Sequence, residues 1–315
     1  MYKIDINHPY NINGVTLINI EEEFKKKIDY QLAPLITETD GIATHFVYVI
    51  KGNENKYKLS HDTLFVTYKD DIYLTTTLRK AVRDILFDPF LQFGYTKMHS
   101  SSVKKDNDVY VILGDKRAGK TSTALGLCKY EGFSFIGGDL CLIKDDELIG
   151  WPTSIGVRGK TFEILGLRED AKEYYHNKEH FWMWPKDYEK LGYFFATGGQ
   201  IKKCIFHQYE FDGKNEESIC TVEEFRRKLI DNIHYDEINK DNYWNTKPVD
   251  IEICRENIGN NSMLTDCSNA INVTSTGLTE ENIKRLVRIM RWKEWVWIFI
   301  CILLTLMVVK HRKKL

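Results

Sequence analysis

A phosphate-binding pattern near the middle of the chain constrains the fold more than any other feature. Residues 114–121 read GDKRAGKT and fit the pattern G-x-x-x-x-G-K-[ST] without a mismatch. A β-branched apolar run, residues 109–113, precedes them, and a helix-compatible sequence follows. The pattern therefore predicts a strand, a tight loop and a helix, with the N–H groups of the loop directed at phosphate oxygens.

The residue types of this loop predict how a nucleotide would bind. Lys120 would reach the β- and γ-phosphates, and the hydroxyl of Thr121 would bind Mg²⁺. The alternative is a Gly-Lys turn that binds nothing. We expect ATP and Mg²⁺ as cofactors, and the predicted cofactor-binding residues are Gly114, Asp115, Lys116, Arg117, Ala118, Gly119, Lys120, Thr121 and Ser122.

The charge distribution argues against a nucleic-acid partner. The 315 residues carry a net charge of −1, but residues 284–315 contain nine Lys or Arg and one Glu, so the rest of the chain is acidic. Proteins that bind nucleic acids usually need a basic face to displace counterions from phosphates. The acidic body does not provide one.

Cysteine usage and the N-terminus favour a cytoplasmic location. The seven cysteines include no C-x-x-C pair and no zinc-ligand spacing, and several lie in apolar runs. We therefore expect reduced, buried thiols. The first residues, MYKIDIN, lack the apolar segment of a signal peptide.

The C-terminal segment, residues 292–315, predicts an association with a membrane. Residues 295–309 are uncharged and contain nothing more polar than a threonine and a cysteine. As a helix this run would span roughly 22 Å, less than a hydrocarbon core of about 30 Å. Flanking tryptophan, lysine and arginine side chains would anchor at the interface and cover the shortfall. We predict a membrane-associating or transmembrane helix with a basic tail that tethers the body to the cytoplasmic face, with a buried helix or an oligomer contact as the alternative.

Residues 1–88 predict a small α+β domain without a motif that carries chemistry. Residues 45–50 predict a strand, and residues 64–68 and 72–76 predict a hairpin. Residues 78–87 predict an amphipathic helix that ends before a proline. We place a domain boundary after this helix.

Residues 89–291 predict an α/β domain with a mixed α+β sheet. Strand-like apolar runs outnumber long helices, which disfavours an evenly alternating, doubly wound sheet. The predicted strands are 109–113, 133–136, 140–143, 201–206 and 249–253, and the predicted helices are 120–130, 170–180, 221–233 and 279–292.

Several elements around the loop occur in a recognisable order. Met98-His99 precede the loop, Gly137-Gly138-Asp139 end the next apolar run, and residues 161–167 read TFEILGL. Across residues 95–167 these elements resemble the C-terminal kinase domain of the HPr kinase/phosphorylase family. The resemblance implies a P-loop fold with a phosphoenolpyruvate-carboxykinase-like core.

The resemblance also implies an activity and a set of site residues. The expected activity is transfer of the γ-phosphate of ATP to a serine of a small protein or peptide. The implied catalytic residues are Lys120, Asp139 and His99, and the implied metal-placing residues are Thr121, Asp139 and Glu163. A homo-oligomer is a further expectation from the resemblance.

Two positions depart from the family pattern and keep other functions open. Gly138 replaces the first Asp of a pair, which the family is taken to use as the base, and Leu165 replaces an Arg. Asp139 or water could still take the proton, and Arg158 and Lys160 could supply the missing charge. A small-molecule kinase and a catalytically weak, membrane-tethered nucleotide-binding regulator or scaffold are therefore alternatives.

Overall fold

The computed structural model describes residues 2–7, 14–25, 28, 44–150, 155–166, 175–177, 180–183, 189, 192–210, 212–233, 251–261 and 270–291. Within this part the chain is a mixed α/β protein. The strands are β1 (Tyr2–Asn7), β2 (Gly14–Ile20), β3 (His45–Lys51), β4 (Lys56–Ser60), β5 (Thr63–Tyr68), β6 (Thr96–Met98), β7 (Ser101–Lys105), β8 (Asp108–Leu113), β9 (Ser134–Gly137), β10 (Cys141–Lys144), β11 (Glu147–Gly150), β12 (Ile155–Arg158), β13 (Tyr175–Asn177), β14 (His180–Met183), β15 (Phe194–Phe195), β16 (Gly198–Tyr209), β17 (Glu216–Ile219) and β18 (Ala270–Ser275). The helices are α1 (Asp71–Phe87), α2 (Lys120–Glu131), α3 (Gly159–Ile164), α4 (Val222–Asp231), α5 (Ile251–Gly259) and α6 (280–291), with a 3₁₀ helix at Asp88–Phe93.

The first five strands form a separate sheet in the order β1-β2-β3-β5-β4. Strands β2, β3 and β5 pair in parallel, and the two outer strands pair antiparallel. Alternate residues of β5 are buried, namely Leu64, Val66 and Tyr68. This alternation places one face of the sheet against a core, and helix α1 packs in that core.

Residues 72–76 are helical, so the predicted hairpin of residues 64–68 and 72–76 is wrong. The hairpin instead joins β4 to β5. Helix α1 begins early because the carboxylate of Asp70 accepts a hydrogen bond from the N–H of Tyr73 at 2.7 Å, as a helix cap does. Leu74 and Leu78, one helical turn apart, are both buried.

The large sheet is mixed and carries the phosphate loop near its middle. Its strand order is β15-β9-β7-β8-β16-β11-β10-β6, with β18 also paired to β16 and β17 paired to β18. Strand β8 lies between antiparallel β7 and parallel β16. A separate three-stranded sheet has the order β12-β14-β13.

Helices cover both faces of the large sheet. One core contains buried residues of α2, α3 and α6, and another contains buried residues of α4 and α5. The core of the five-stranded sheet continues through α1 to Leu140, Leu142 and Ile149 of the β10–β11 region. The two sheets therefore share buried surface, and the boundary near residue 88 stays a prediction.

Most of the predicted elements after residue 89 are confirmed, and two are wrong. Residues 251–253 belong to helix α5, where Cys254 and Ile258 are buried one turn apart. Residues 175–177 and 180 belong to strands, so a helix does not span 170–180. The first error comes from the short alternating run at 249–253, which is too short for its pattern to distinguish helix from strand. Residues 170–180 are mostly polar and offer no apolar period that would decide between the two.

Five of the cysteines lie in the described part, and all five are free and buried, as expected. The predicted helix at 292–315 lies outside the described residues. In the described part, the helices do not combine the length and apolar composition that a membrane crossing requires.

Candidate nucleotide-binding site

The predicted strand, loop and helix are all present around residues 114–121, which we call the phosphate loop. Strand β8 ends at Leu113, and helix α2 begins at Lys120. Arg117 and Gly119 have positive φ angles of 76° and 85°. Left-handed residues among right-handed ones can direct successive N–H groups to one side, and this backbone pattern next to a helix N-terminus is typical of an anion-binding loop.

Both glycines of the loop are required by close packing against strand β16. A Cβ atom on Gly114 would lie 2.4 Å from the carbonyl oxygen of His207. A Cβ atom on Gly119 would lie 1.9 Å from Cε2 of Tyr209. The loop thus lies directly on its neighbouring strand, and a side chain at either glycine would displace it.

Lys120 is buried beneath the loop and holds it together. Its side-chain Nζ donates hydrogen bonds to the carbonyl oxygens of Gly114 at 2.7 Å and Asp115 at 3.1 Å. Burial lowers the pKa of Lys120, and the carboxylates of Asp139 and Asp115 oppose this shift. The ammonium group is thereby placed at the loop, where it can meet phosphate oxygens.

Thr121 connects the start of α2 to the end of β9. Its hydroxyl donates a hydrogen bond to the carbonyl oxygen of Gly138 at 3.2 Å, and the hydroxyl of Ser101 donates to the same carbonyl at 3.1 Å. These contacts bring Thr121 next to the segment that carries Asp139. A hydroxyl and a carboxylate are suitable Mg²⁺ ligands, with phosphate oxygens and waters completing the shell.

His99 and Asp139 face one another beside the loop. Nε2 of His99 lies 3.7 Å from Oδ1 of Asp139. Burial lowers the pKa of His99, nearby Lys120 and Lys116 lower it further, and Asp139 opposes them. These effects together favour the neutral imidazole. The backbone N–H of His99 donates a hydrogen bond to the carbonyl oxygen of Asn232 at 2.8 Å, which holds the backbone of His99 in place.

A cavity of about 640 Å³ lies over the start of α2. Its walls include loop residues from Lys116 to Ser122, together with His99, Gly138 and Asp139. A second cavity of about 450 Å³ lies on the other side of the loop and is lined by Gly114 and Asp115. Among the described residues that line the first cavity, Asp139 is the carboxylate and the cations are Arg79, Lys116, Arg117, Lys120, Arg158 and Lys160. This cavity is strongly electropositive and suits a polyphosphate.

Helix α3 contributes to the cavity, but Glu163 is placed at its edge. Thr161 and Ile164 line the cavity, and Thr161 Oγ1 lies 2.7 Å from the hydroxyl oxygen of Ser122. Glu163 is exposed and is not among the described residues that line the cavity. Its predicted role in placing Mg²⁺ stays a prediction. In the described part, no group of three or more His, Cys, Asp and Glu side chains could hold a metal.

The two departures from the family pattern have different structural consequences. Gly138 lines the cavity next to Asp139, so the missing carboxylate would have been at the site. Leu165 is 2% exposed and belongs to the hydrophobic core around α2. Arg158 and Lys160, by contrast, line the cavity and are positioned to supply positive charge there.

Three residues that support the loop were not found from the sequence. Oδ1 of Asn232 accepts a hydrogen bond from the N–H of Gly114 at 3.1 Å. Nδ1 of His207 donates to the carbonyl of Ala118 at 2.8 Å, and burial lowers the pKa of His207 to about 4. The hydroxyl oxygen of Tyr209 lies 3.2 Å from Oγ1 of Thr123.

These supporting residues are far from the loop in the chain, and local patterns carry no signal for them. Asn232 follows helix α4, while His207 and Tyr209 belong to β16. Only the parallel pairing of β16 with β8, with Phe206 opposite Leu113, brings the latter two to the loop.

Comparison with known proteins adds no relative to this description. No protein-family model matches the chain, and no curated protein matches its sequence.

Proposed function

We propose that the protein is an ATP-dependent kinase with an HPr-kinase-like core, which transfers the γ-phosphate to a serine of a small protein or peptide. The observation that carries the proposal is the convergence of the phosphate loop with His99 and Asp139 in one electropositive cavity. Phosphoryl transfer depends mainly on positioning and on neutralising phosphate charge. Both requirements can be met by groups that already line this cavity.

The phosphate loop and Lys120 would hold the nucleotide. The N–H groups of the loop and the helix N-terminus provide a concave donor surface for the β- and γ-phosphates. Lys120 is positioned by two backbone carbonyls, so its ammonium group needs little reorganisation when phosphate binds.

Thr121 and Asp139 would hold Mg²⁺, which supplies further charge neutralisation on the phosphates. The chain places the threonine hydroxyl and the segment of Asp139 together through the Gly138 carbonyl. Glu163 is exposed on α3 and is not among the described residues that line the cavity, so any part that it plays in placing Mg²⁺ would have to pass through water.

His99 or Asp139 would accept the proton from the serine hydroxyl. The lowered pKa of His99 favours the neutral imidazole, the form that can accept a proton, and Asp139 lies next to it. General-base assistance contributes about 10²–10⁴-fold, so the absence of a carboxylate at position 138 weakens transfer without removing its main source.

The direct test is transfer from γ-labelled ATP in the presence of Mg²⁺ to serine peptides and to small hydroxylated metabolites. We expect labelled peptide with the wild-type protein, none with Lys120→Ala, and wild-type transfer with the exposed control Lys58→Ala. Labelling of metabolites alone would replace the proposal with a small-molecule kinase. Absence of any nucleotide binding would refute it.

A second candidate, a catalytically weak nucleotide-binding regulator, is favoured by one observation. Gly138 lines the cavity where the family has an aspartate. The backbone of Gly138 lies outside the positive-φ region, so an aspartate there requires no strained conformation. If the wild type binds MgATP without transfer and Gly138→Asp restores transfer, the regulator is the better description.

The segment at 292–315 remains part of the proposal as a tether to the cytoplasmic face of a membrane. Deletion of residues 292–315 should move the protein from the membrane fraction to the soluble fraction of cells. An unchanged membrane fraction would contradict the tether. Sedimentation of the shortened protein would also test the proposed homo-oligomer.

A further inference from the structure

We propose that Arg79, on helix α1 of the N-terminal region, binds the terminal phosphate of the nucleotide. This inference rests on the proposed nucleotide binding and adds to it a phosphate-binding residue outside residues 95–167. It makes the N-terminal region a structural part of the phosphate site.

Helix α1 packs against the large sheet next to the site. Its buried residues share one core with Leu140, Leu142 and Ile149 of the β10–β11 region. In the neighbouring pair, Leu142 of β10 lies opposite Lys97 of β6. The helix therefore lies over the edge of the sheet formed by β10 and β6, and His99 directly follows β6 in the chain.

An ion pair fixes how far along this edge the helix lies. Oδ1 of Asp84, on α1, lies 3.8 Å from Nζ of Lys97, and both side chains are almost fully buried. Arg79 is five residues before Asp84, about 7.5 Å along the helix axis. His99 is two residues after Lys97, about 6.6 Å along an extended chain. Arg79 and His99 line the same cavity, so the two steps lead in the same direction.

The backbone that carries Arg79 is firmly held. Leu78 and Val82, on either side of it, are 1% and 0% exposed. One turn further, Nε of Arg83 lies 2.9 Å from Oδ1 of Asp84. Because this backbone is already held, binding of an anion by the Arg79 side chain would order little additional backbone.

The position of Arg79 indicates the terminal phosphate as its ligand. His99, Asp139 and Lys120 lie close enough to affect one another's charge, and they line the same cavity as Arg79. In a phosphate loop the lysine contacts the β- and γ-phosphates, so the terminal phosphate would lie in this cavity. A planar guanidinium can donate two parallel hydrogen bonds to phosphate oxygens. Leu165, which replaces an Arg of the family pattern, is buried in the core, so position 165 supplies no positive charge to the cavity.

The test compares the binding of MgATP and MgADP by calorimetry in the absence of any acceptor. Arg79→Gln should weaken MgATP binding by about tenfold or more and leave MgADP binding nearly unchanged, because only ATP has the terminal phosphate. Arg79→Lys should recover part of the difference, since it keeps the charge and loses the paired donors. Lys80→Ala, a neighbouring substitution on the same helix, should leave both affinities unchanged.

The outcomes separate this inference from the proposed function. Equal effects of Arg79→Gln on ATP and ADP, or no effect on either, would overturn the role of Arg79 and leave the kinase proposal standing. If Arg79→Gln selectively loses ATP binding while the wild type labels no acceptor, the role of Arg79 would be supported and the kinase proposal would be refuted. A wild type that binds neither nucleotide would overturn both. Unfolding curves without nucleotide would verify that the variants fold.

Discussion

The two sides of the candidate site are built very differently. On the loop side, residues 114–119 contact His207, Tyr209 and Asn232 at hydrogen-bond or van der Waals distance. On the acid side, His99 and Asp139 lie 3.7 Å apart, with side chains 40% and 49% exposed. The loop side is therefore shaped before a ligand arrives, whereas the acid side would reach its final arrangement with a cation and phosphate present.

This difference separates binding from catalysis in physical terms. A preformed loop provides affinity at little entropic cost. An open acid side can admit water, metal and an acceptor, but its charges are screened until the site is filled. Changes on the loop side should consequently affect nucleotide binding, and changes on the acid side should mainly affect transfer.

The largest effect is expected for Gly119→Ala on the loop side. The new Cβ would overlap the ring of Tyr209, and the φ of 85° would be strained for alanine. We expect MgATP affinity to fall by about a hundredfold or more, measured by calorimetry. Gly259→Ala, which has open space around its Cβ, is the matched control and should bind as the wild type does. Normal binding by Gly119→Ala would show that the loop is not preformed.

A large but different effect is expected for Asp139→Asn on the acid side. The substitution keeps the shape and removes the charge that would bind the metal. Transfer should fall on the order of a hundredfold, while metal-free nucleotide should bind nearly as before. Transfer rates over a range of Mg²⁺ concentrations would measure this effect. If nucleotide binding were lost as fully as with Gly119→Ala, the two sides would not be separable.

A pH effect is expected from His207, beneath the loop. Burial lowers its pKa in the folded chain to about 4, against the ordinary histidine value of 6.5. Between these values the unfolded chain binds more protons than the folded chain, so the free energy of unfolding decreases as the pH falls from about 6.5 to about 4. This histidine should account for roughly 3 kcal/mol over that window. Denaturant unfolding of the wild type and His207→Gln across the window tests this, and parallel pH profiles would contradict it.

The smallest effect is expected for Thr221→Ala, at the start of helix α4. The hydroxyl oxygen of Thr221 accepts a hydrogen bond from the N–H of Glu224 at 3.1 Å, which caps the helix. Its loss should lower the free energy of unfolding by about 1 kcal/mol. The affinity for MgATP should change little, because Asn232 at the other end of α4 still holds Gly114. A marked loss of affinity would show that loop geometry depends on the whole helix.

The sequence predicted the local parts of the site and missed the parts that depend on tertiary structure. Strand β8, the loop and helix α2 follow one another directly, so residue types at fixed spacing were sufficient. The β-branched and aromatic residues of segment 72–76 favour a strand, but the cap from Asp70 and burial against a sheet favour a helix. Arg79 and His207 reach the site only through sheet pairing and helix packing, which no short pattern encodes.

The core shared between the two sheets has a practical consequence for cutting the chain. A fragment that begins at residue 89 would lose α1 and leave Leu140, Leu142 and Ile149 without the apolar partners that cover them. Such a fragment would expose an apolar surface and would therefore self-associate at modest concentration. It would also lack Arg79, which lines the cavity of the intact chain. Biochemical work on the phosphate loop should therefore keep everything from residue 1 onward and shorten the chain only at its C-terminal end.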